Sequence, residues 1–449
     1  MPCRPARMHR DGPGWCTRWV LTGLTAREER GSEARRAPPE YGLFGHGPEY
    51  TVGVEEEFML VDADTLALVP AAPSLLRETG DPDNIKAEVR QCMVEISSQP
   101  WRTTRELHHD LRALRQRVRL AASAQRCRVA GGGTHAFSPP QEQAVTDTAR
   151  YHDVITESGF PGRWSLVLGT HVHVALSSAD KAIGVTEALL ADLPTLVALG
   201  ASSPVWSGVD TGMASMRLAL WASVPRSGVP PRFSSFADYV GCLDVLQRSG
   251  AVPDASHVWW DVRSQQRLGT LEVRLLDGQP GLADTVALAG LVQALVRHHG
   301  MRWDEGERVA PQRFLVAENR WQAIWKGMDA RFADPDGSVI TARSAVEALL
   351  DRVAQDASAL EASWALGHVA DLADQGGPAA RVREILTRTG DPIQVMREVV
   401  ELTEAAGHPT GIGGLDGPRR RTAVDVTDGS GTTNSDTVRP HGSRRSHEV

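Results

Sequence analysis

The sequence has no long apolar run and few cysteines. No stretch approaches the roughly 20 consecutive apolar residues that a transmembrane helix needs, so a membrane-spanning protein is not expected. The five cysteines are widely spaced and form no C-x-x-C pair; they are Cys3, Cys16, Cys92, Cys127 and Cys242. This pattern argues against a disulfide framework or a thiolate zinc site, and it fits a reducing cytoplasm.

Several common enzyme motifs are also missing. The sequence contains no G-x-x-x-x-G-K-[ST], so a P-loop is excluded, and it contains neither G-x-S-x-G nor H-E-x-x-H. Basic side chains do not dominate, because 48 Lys and Arg residues stand against 56 Asp and Glu residues and the net charge is -8. Electrostatic binding of nucleic acid over a broad surface is therefore not expected. A soluble enzyme or a binding protein for small molecules remains.

Composition divides the 449 residues into two polar ends and a longer central region. Residues 1–47 are rich in Arg, Pro and Gly and predict a disordered N-terminal extension. Residues 407–449 offer almost nothing to bury and predict a disordered C-terminal tail. Residues 48–406 between them are expected to fold, because the chain is 41% hydrophobic and can form a sizeable core. The length allows one large domain or two or three ordinary ones.

Strand and helix patterns follow one another irregularly in the central region. Tyr50–Val61 and Thr270–Leu276 alternate as strands do, and Leu166–Leu176 reads as another strand. Ala283–His298 predicts an apolar helix, and residues 342 to 406 predict successive helices. This mixture predicts an α+β fold with an antiparallel sheet that helices cover on one side.

The first predicted strand carries three consecutive glutamates. Glu55 and Glu57 point to the same side, roughly 7 Å apart along the chain. Two such carboxylates repel each other unless a cation lies between them, and Mg²⁺ prefers oxygen ligands of this kind. The alternative is a solvated edge strand with a charge run. Glu56 falls on the apolar face, where it would lie near the sheet rim or pair with an arginine.

Glu88 and Glu95 form a second acidic pair, seven residues apart. This spacing places them on one face of a helix but on opposite faces of a regular strand. A bulge or a strand break would be needed to bring both into one site. The alternative is a pair of salt-bridged surface glutamates.

Two histidines share one face of the strand that contains Gly169–Val174. His171 and His173 form an H-x-H pair, which suits Zn²⁺, Fe²⁺ or Mn²⁺. A pair of hydrogen-bonded structural histidines is the alternative.

Thr270, Glu272 and Arg274 share one face of the last predicted strand. A carboxylate and a guanidinium two residues apart can hold a metal and a phosphate side by side. The alternative is a cross-strand salt bridge. Arg263 lies near the end of the alternating segment just upstream.

The loop that runs from residue 202 to residue 217 is rich in Gly, Ser and Thr. Its hydroxyls include those of Ser203 and Thr211, and Arg217 at its end could reach an anion. By composition alone it is a loop before a helix.

Together and in order, these segments resemble the carboxylate–amine ligase family related to the second type of glutamate–cysteine ligase. The matching segments are Thr51–Phe58, Glu88–Glu95, Gly132–His135, His171–Val174, Ser203–Arg217, Trp260–Arg263, Thr270–Asp277 and Glu318–Trp321. The resemblance implies a glutamine-synthetase-like fold, in which a curved antiparallel sheet forms a funnel around metals and nucleotide.

The resemblance also implies one ATP-dependent ligase domain over residues 48–406, with ATP and Mg²⁺, or Mn²⁺, as the cofactors. Residue by residue, it implies six metal ligands: Glu55, Glu57, Glu88, Glu95, His171 and Glu272. It implies a catalytic role for Arg274, Arg217 and Arg263, and nucleotide binding by Arg274, Ser203 and Thr211.

The implied reaction joins glutamate to cysteine, or to another amine, through a γ-glutamyl phosphate. Two alternatives stay open: a zinc- or iron-dependent hydrolase centred on His171 and His173, and a nucleotide-binding protein without turnover. The sequence departs from the family pattern at Ser202, Met213 and Ser264. The first two lie in the loop that is expected to face substrate, which leaves the acceptor amine open. The expected partners are small-molecule substrates, and neither nucleic acid nor a membrane is expected as a partner. The expected location is the cytoplasm. A homo-oligomer is compatible with the sequence.

Overall fold

The computed structural model describes residues 42–80 and 83–405. Its strands are β1 (Val52–Asp62), β2 (Ile85–Ala87), β3 (Met93–Ser97), β4 (Cys127–Ala130), β5 (Gly169–Ala175), β6 (Val205–Trp206), β7 (Val209–Asp210), β8 (Ser227–Gly228), β9 (Trp259–Trp260), β10 (Val262–Gln265), β11 (Thr270–Asp277), β12 (Arg331–Ala333) and β13 (Val339–Thr341). Its helices are α1 (Ala72–Thr79), α2 (Thr104–Ser123), α3 (Ala149–Trp164), α4 (Ala179–Leu189), α5 (Leu193–Gly200), α6 (Met216–Trp221), α7 (Phe236–Arg248), α8 (Leu282–Asp304), α9 (Arg313–Lys326), α10 (Ala342–Ala359), α11 (Ser363–Asp374), α12 (Gly377–Thr389) and α13 (Pro392–Ala405).

The two predicted polar ends fall largely outside these ranges. Residues 1–41 of the predicted extension and the predicted tail at 407–449 lie outside the described residues. Residues 42–47 are described and contact the body, because the backbone N–H of Leu43 donates to the carbonyl of Gln266 and that of Gly45 donates to the carbonyl of Leu176. This short segment is therefore part of the folded body rather than of a disordered extension.

One antiparallel sheet carries the residues of interest. Its strand order is β10-β11-β5-β1-β3-β2, and β4 also pairs with β1. The strands β1, β5 and β11 lie side by side at its centre, and all three were predicted as strands from the sequence. The predicted α+β class with an antiparallel sheet is confirmed. The predicted helix at 283–298 is also present, although α8 extends to Asp304.

Helices cover one face of the sheet because every second residue of its central strands is apolar. Val54 and Phe58 of β1 and Val172 of β5 are buried in the same core as residues of α2 and α8. α2 starts with a capping box, in which the side chains of Thr103 and Glu106 each accept a hydrogen bond from the other residue's backbone N–H. The opposite face of the sheet is left for polar side chains.

The described helices are short or polar relative to what a membrane span requires. Among them, no single helix is long and apolar enough to cross a membrane. Only α4 and α5 taken together reach the required length and composition, and they are bent by 72° relative to each other.

Glu56 is the one glutamate of its triplet that faces the helices, and it pairs with an arginine. Arg115 of α2 donates from Nε to Glu56 Oε2 at 2.9 Å and from Nη2 to Glu56 Oε1 at 2.5 Å. Thr285 of α8 donates to the same carboxylate at 2.6 Å. The second of the two sequence alternatives for Glu56 is thereby confirmed, and the pair joins the sheet to two helices.

We expect Glu56→Gln to lower the free energy of unfolding by about 3–5 kcal/mol, because Arg115 would keep a buried charge without its partner. Urea denaturation measures this change. A matched control is Asp64→Asn, which breaks the exposed pair of Asp64 with Arg126 and should leave the stability nearly unchanged. Equal unfolding midpoints for the wild type and Glu56→Gln would contradict the stabilising role of this pair.

Candidate active site

Two clusters of ligand-type side chains meet at one cavity of about 510 Å³ beside the sheet. In the acidic cluster, one carboxylate oxygen from each of Glu57, Glu88 and Glu95 lies within 4.8 Å of the others. In the mixed cluster, ligand atoms of Glu55, His171 and Glu272 meet the same limit. The structure therefore gathers the six residues for which the resemblance implied metal binding into two clusters, and all of them except Glu272 line the cavity.

The acidic cluster forms because β1 and β3 pair in register and because the chain breaks between β2 and β3. Glu57 lies directly opposite Glu95 across the two strands. Glu88 follows the last residue of β2, and β3 begins only at Met93. The hydroxyl of Thr146 donates to the Glu88 carbonyl at 2.5 Å and helps to hold the break. The strand break that the spacing of Glu88 and Glu95 required is present.

Burial and mutual repulsion disfavour the charged form of the three carboxyls in the acidic cluster. Burial raises the pKa of Glu57 to about 7, and the charge of Glu95 adds to the shift. Burial likewise raises the pKa of Glu88 to about 7, and the charge of Glu57 adds to the shift. Burial and the charges of Glu55 and Glu88 raise the pKa of Glu95 well above its usual range. An oxygen-only donor set whose charged form is disfavoured by burial fits Mg²⁺ or Mn²⁺, because a bound cation would offset that charge.

The mixed cluster places His171 beside Glu55 through the pairing of β1 with β5. His171 Nδ1 lies 3.2 Å from Glu55 Oε2, and Nε2 of the neighbouring His173 lies 3.6 Å from the same oxygen. Burial lowers the pKa of His171 to about 4, and Arg274 adds to the effect. A neutral imidazole is the form that binds metals. His173 lines the cavity, but its Nδ1 lies 3.1 Å from the Thr270 hydroxyl.

Glu272 is the member of the mixed cluster with the most protein partners. It accepts hydrogen bonds from Arg263 Nε at 2.9 Å and Gln265 Nε2 at 2.7 Å, and it is ion-paired with Arg274. Although burial opposes the shift, these two arginines hold the pKa of Glu272 well below its usual range. Glu272 therefore also forms the cross-strand salt bridge that was the alternative interpretation of this strand. We expect a cation to bind here less tightly than at the acidic cluster.

Three arginines contribute positive charge to the same cavity. Arg217, Arg263 and Arg274 all line it. Arg217 Nη2 donates to the Arg274 carbonyl at 3.1 Å, so α6 and β11 hold two guanidinium groups near each other. Guanidinium groups beside carboxylate clusters can bind phosphoryl oxygens between them and bound cations.

Ser203 and Thr211 are not brought to the cavity. The Ser203 hydroxyl donates to Asp277 Oδ2 at 2.6 Å, and the Thr211 hydroxyl donates to the Pro204 carbonyl at 2.9 Å. Both hydroxyls thus hold the loop in place, and neither residue is among those that line the cavity. The nucleotide-binding role that the resemblance implied for Ser203 and Thr211 therefore has no support from their positions.

Sequence reasoning missed one wall of the cavity. α3 contributes Tyr151 and Ile155, and the rings of Trp221 and Trp259 add an aromatic pair whose centroids lie 5.9 Å apart. α3 is kinked at Gly159. The apolar periodicity of α3 is too weak to predict this helix from the sequence. Trp259 and Trp260, at the start of the segment that ends at Arg263, were a sequence signal for an aromatic cavity lining.

Comparison with known families identifies the chain. Residues 51–402 match the family model described as Glutamate-cysteine ligase family 2 (GCS2). The chain belongs to this family. Membership in glutamate-cysteine ligase family 2 confirms the resemblance found in the sequence, and it confirms the expectation of an ATP-dependent ligase that forms an amide bond.

A curated relative within glutamate-cysteine ligase family 2 comes from Rubrobacter xylanophilus and is named "Putative glutamate--cysteine ligase 2-3". It is 37% identical over 365 residues, which are 80% of this chain and 99% of that protein. A second protein of the same organism, named "Putative glutamate--cysteine ligase 2-1", is 35% identical over 378 residues, covering 83% of this chain and 100% of the relative.

A solved structure of glutamate–cysteine ligase from Francisella tularensis in complex with AMP shares the fold of this family 2 chain. The TM-score is 0.61 at 13% identity, with 79% of this chain and 88% of that chain covered. At this level of identity the likeness shows a common fold alone.

Proposed function

We propose that the protein uses ATP to join the γ-carboxylate of L-glutamate to the amine of L-cysteine or a related amine, with release of ADP and phosphate. The convergence of two carboxylate-rich clusters and three arginines on one cavity is the observation that carries this proposal. The names of the curated relatives support the choice of substrates.

The proposed reaction has two steps, because a free carboxylate is a poor acyl donor. An oxygen of the γ-carboxylate attacks the γ-phosphorus of ATP, the bond from that phosphorus to the bridging oxygen breaks, and ADP leaves. The amine nitrogen of the acceptor then attacks the carbonyl carbon of the γ-glutamyl phosphate, the single bond from that carbon to the phosphate oxygen breaks, phosphate leaves with the electron pair of that bond, and the nitrogen loses a proton to solvent. Both steps develop negative charge on phosphoryl oxygens.

The chain's own residues have distinct parts in this proposal. Arg217 and Arg274 donate hydrogen bonds to phosphoryl oxygens, and Arg263 holds Glu272 in place. The acidic cluster would hold one Mg²⁺ or Mn²⁺ and the mixed cluster a second. Such ions, when bound, neutralise charge on the phosphoryl groups.

An ADP-release assay across amino acids and amines, with Mg²⁺ or Mn²⁺, tests the proposal. We expect ADP release that requires glutamate and an acceptor amine together. With hydroxylamine as the acceptor, we expect γ-glutamyl hydroxamate. ATP binding without ADP release for every pair would favour the alternative of a nucleotide-binding protein, and ATP-independent hydrolysis with bound Zn²⁺ would favour the hydrolase centred on His171 and His173.

The thermal stabilisation caused by Mn²⁺ should grow with pH. The folded-state pKa values of Glu57 and Glu88, about 7, lie above the ordinary value of 4.5. The metal-free protein therefore loses stability as pH rises from about 4.5 to about 7, and protons compete with the cation at pH 6 but not at pH 8. We expect at least about tenfold tighter Mn²⁺ binding at pH 8, or ~1.4 kcal/mol. Thermal unfolding with and without Mn²⁺ measures it.

Glu88→Gln provides the control for this titration, since it removes one of the two carboxylates with a pKa near 7. Its Mn²⁺-induced shift should be smaller and should depend less on pH. An equal Mn²⁺ shift at pH 6 and pH 8 in the wild type would contradict metal binding by the acidic cluster.

The cytoplasmic location and the oligomeric state stay predictions from the sequence.

A further inference from the structure

Asp277 lies at the end of β11, on the face of the sheet that carries the candidate active site. Simple alternation would place it with Leu275 on the apolar face. The register between β11 and β5 shifts between Val273 and Leu276, and this shift pairs Asp277 with Gly169. A β-bulge re-aims the side chains that follow it, so Asp277 turns to the side of the sheet occupied by Glu57 and His171.

The Asp277 carboxylate is fully enclosed by the loop that precedes α6. Its Oδ2 accepts hydrogen bonds from the Ser202 backbone N–H at 2.9 Å and the Ser203 hydroxyl at 2.6 Å. Its Oδ1 accepts a hydrogen bond from the Ser215 hydroxyl at 2.8 Å and lies 3.9 Å from Arg217 Nη1. The aspartate thus fixes both ends of the loop and faces the guanidinium that the loop carries.

Arg217 depends on these contacts for its place beside the cavity. Its side chain is only 7% exposed. Within the described residues, its Nε and Nη1 donate no hydrogen bond. An ideal Cβ on Gly169 would lie 2.2 Å from Arg217 Nη2, so the absence of a side chain there makes room for the guanidinium. A buried arginine with spare donors is suited to an anionic group that enters the cavity.

We propose that Asp277 is a positioning residue, which holds the loop and the guanidinium of Arg217 where the latter can donate to a phosphoryl group. This inference rests on the proposed function for the identity of that group. Asp277 does not line the cavity itself. Its effect on turnover must therefore pass through Arg217, and this distinguishes it from a residue that contacts substrate.

A double-mutant cycle tests the dependence on Arg217. We expect Asp277→Asn to lower kcat for ADP release about 10- to 100-fold, as replacing an outer partner of an active-site group commonly does. In an Arg217→Lys background, the same change should cost less than about threefold, because its effect has already been lost. The matched control is Asp356→Asn, which removes another buried aspartate that pairs with Arg297 and His298; it should keep wild-type kcat.

A milder variant guards against a folding defect in Asp277→Asn. Ser203→Ala removes the hydrogen bond to Asp277 and the one that Ser203 accepts from the Arg217 backbone N–H. It should lower kcat in the same direction by a smaller factor. Losses that multiply in the double mutant, or an Asp277→Asn variant that behaves like Asp356→Asn, would overturn the proposal.

A crystal structure of Asp277→Asn separates this inference from the proposed function. We expect the Arg217 guanidinium to leave its place over Gly169 and to lose the hydrogen bond to the Arg274 carbonyl. An unmoved Arg217 would overturn the positioning role whether or not the enzyme turns over. Absence of ADP release in the wild type, with Arg217 displaced in the variant, would overturn the proposed function and leave the positioning role standing.

Discussion

Replacing Glu57 by Gln is expected to reduce ADP release by roughly 100- to 1,000-fold or more, a loss of the size seen when a group that stabilises transition-state charge is removed. Gln keeps the length of the side chain, and its amide oxygen can still accept the 2.7 Å hydrogen bond from the Gly169 backbone N–H. The variant lacks the negative charge that the acidic cluster needs to bind a cation.

The same variant should be more stable than the wild type when metal is absent. Glu57 lies opposite Glu95 on the neighbouring strand, and like charges in that arrangement repel each other. At pH 8 and without metal, we therefore expect a higher Tm together with the lower turnover.

Glu187→Gln is the matched control, because Glu187 is a buried glutamate paired with Arg313 outside the cavity lining. It should keep wild-type turnover and gain no stability. Wild-type ADP release by Glu57→Gln, with unchanged dependence on Mg²⁺, would exclude Glu57 as a ligand.

Replacing Arg274 by Lys is expected to lower kcat by about 100-fold, although the charge is kept. Arg274 pairs with Glu272 and lines the cavity. A guanidinium can hold that carboxylate and a phosphoryl group with different N–H groups of one rigid plane, whereas a lysine ammonium is a compact charge without this fork. The loss should appear in kcat more than in the KM for ATP, because the charge on the phosphoryl group grows during transfer.

Arg320→Lys is the control for this substitution. Arg320 is also a buried arginine, and it holds Asp261 through Nε and Nη2 away from the cavity lining. This variant should lose stability while its kcat stays near that of the wild type. Equal kcat values for Arg274→Lys and the wild type would contradict the phosphoryl contact.

The sheet and part of the site followed from local periodicity. The side chains of a strand alternate, so the placement of Glu55 and Glu57 on one side and Glu56 on the other could be read from β1 alone. The same rule identified the shared face of Glu272 and Arg274. These assignments are correct because one face of each strand packs against the core. The alternation of apolar residues along a strand therefore shows which side chains lie on the other face.

Other parts of the site depend on contacts between distant segments and could not be read locally. The break that brings Glu88 next to Glu95 is stabilised by Thr146, which lies far along the chain. The bulge that turns Asp277 toward the site becomes visible only in the pairing of β11 with β5. The composition of the loop drew attention to the hydroxyl of Ser203, but only the structure shows that this hydroxyl donates a hydrogen bond to Asp277.

Anomalous diffraction from crystals grown with Mn²⁺ and a non-hydrolysable ATP analogue most directly tests whether the two clusters bind cations in an active site. We expect one manganese peak among Glu57, Glu88 and Glu95, and a second among Glu55, His171 and Glu272, with the analogue's terminal phosphate between them and Arg217. Crystals that contain the analogue but show no manganese at either cluster would contradict the proposed metal-dependent ligase site.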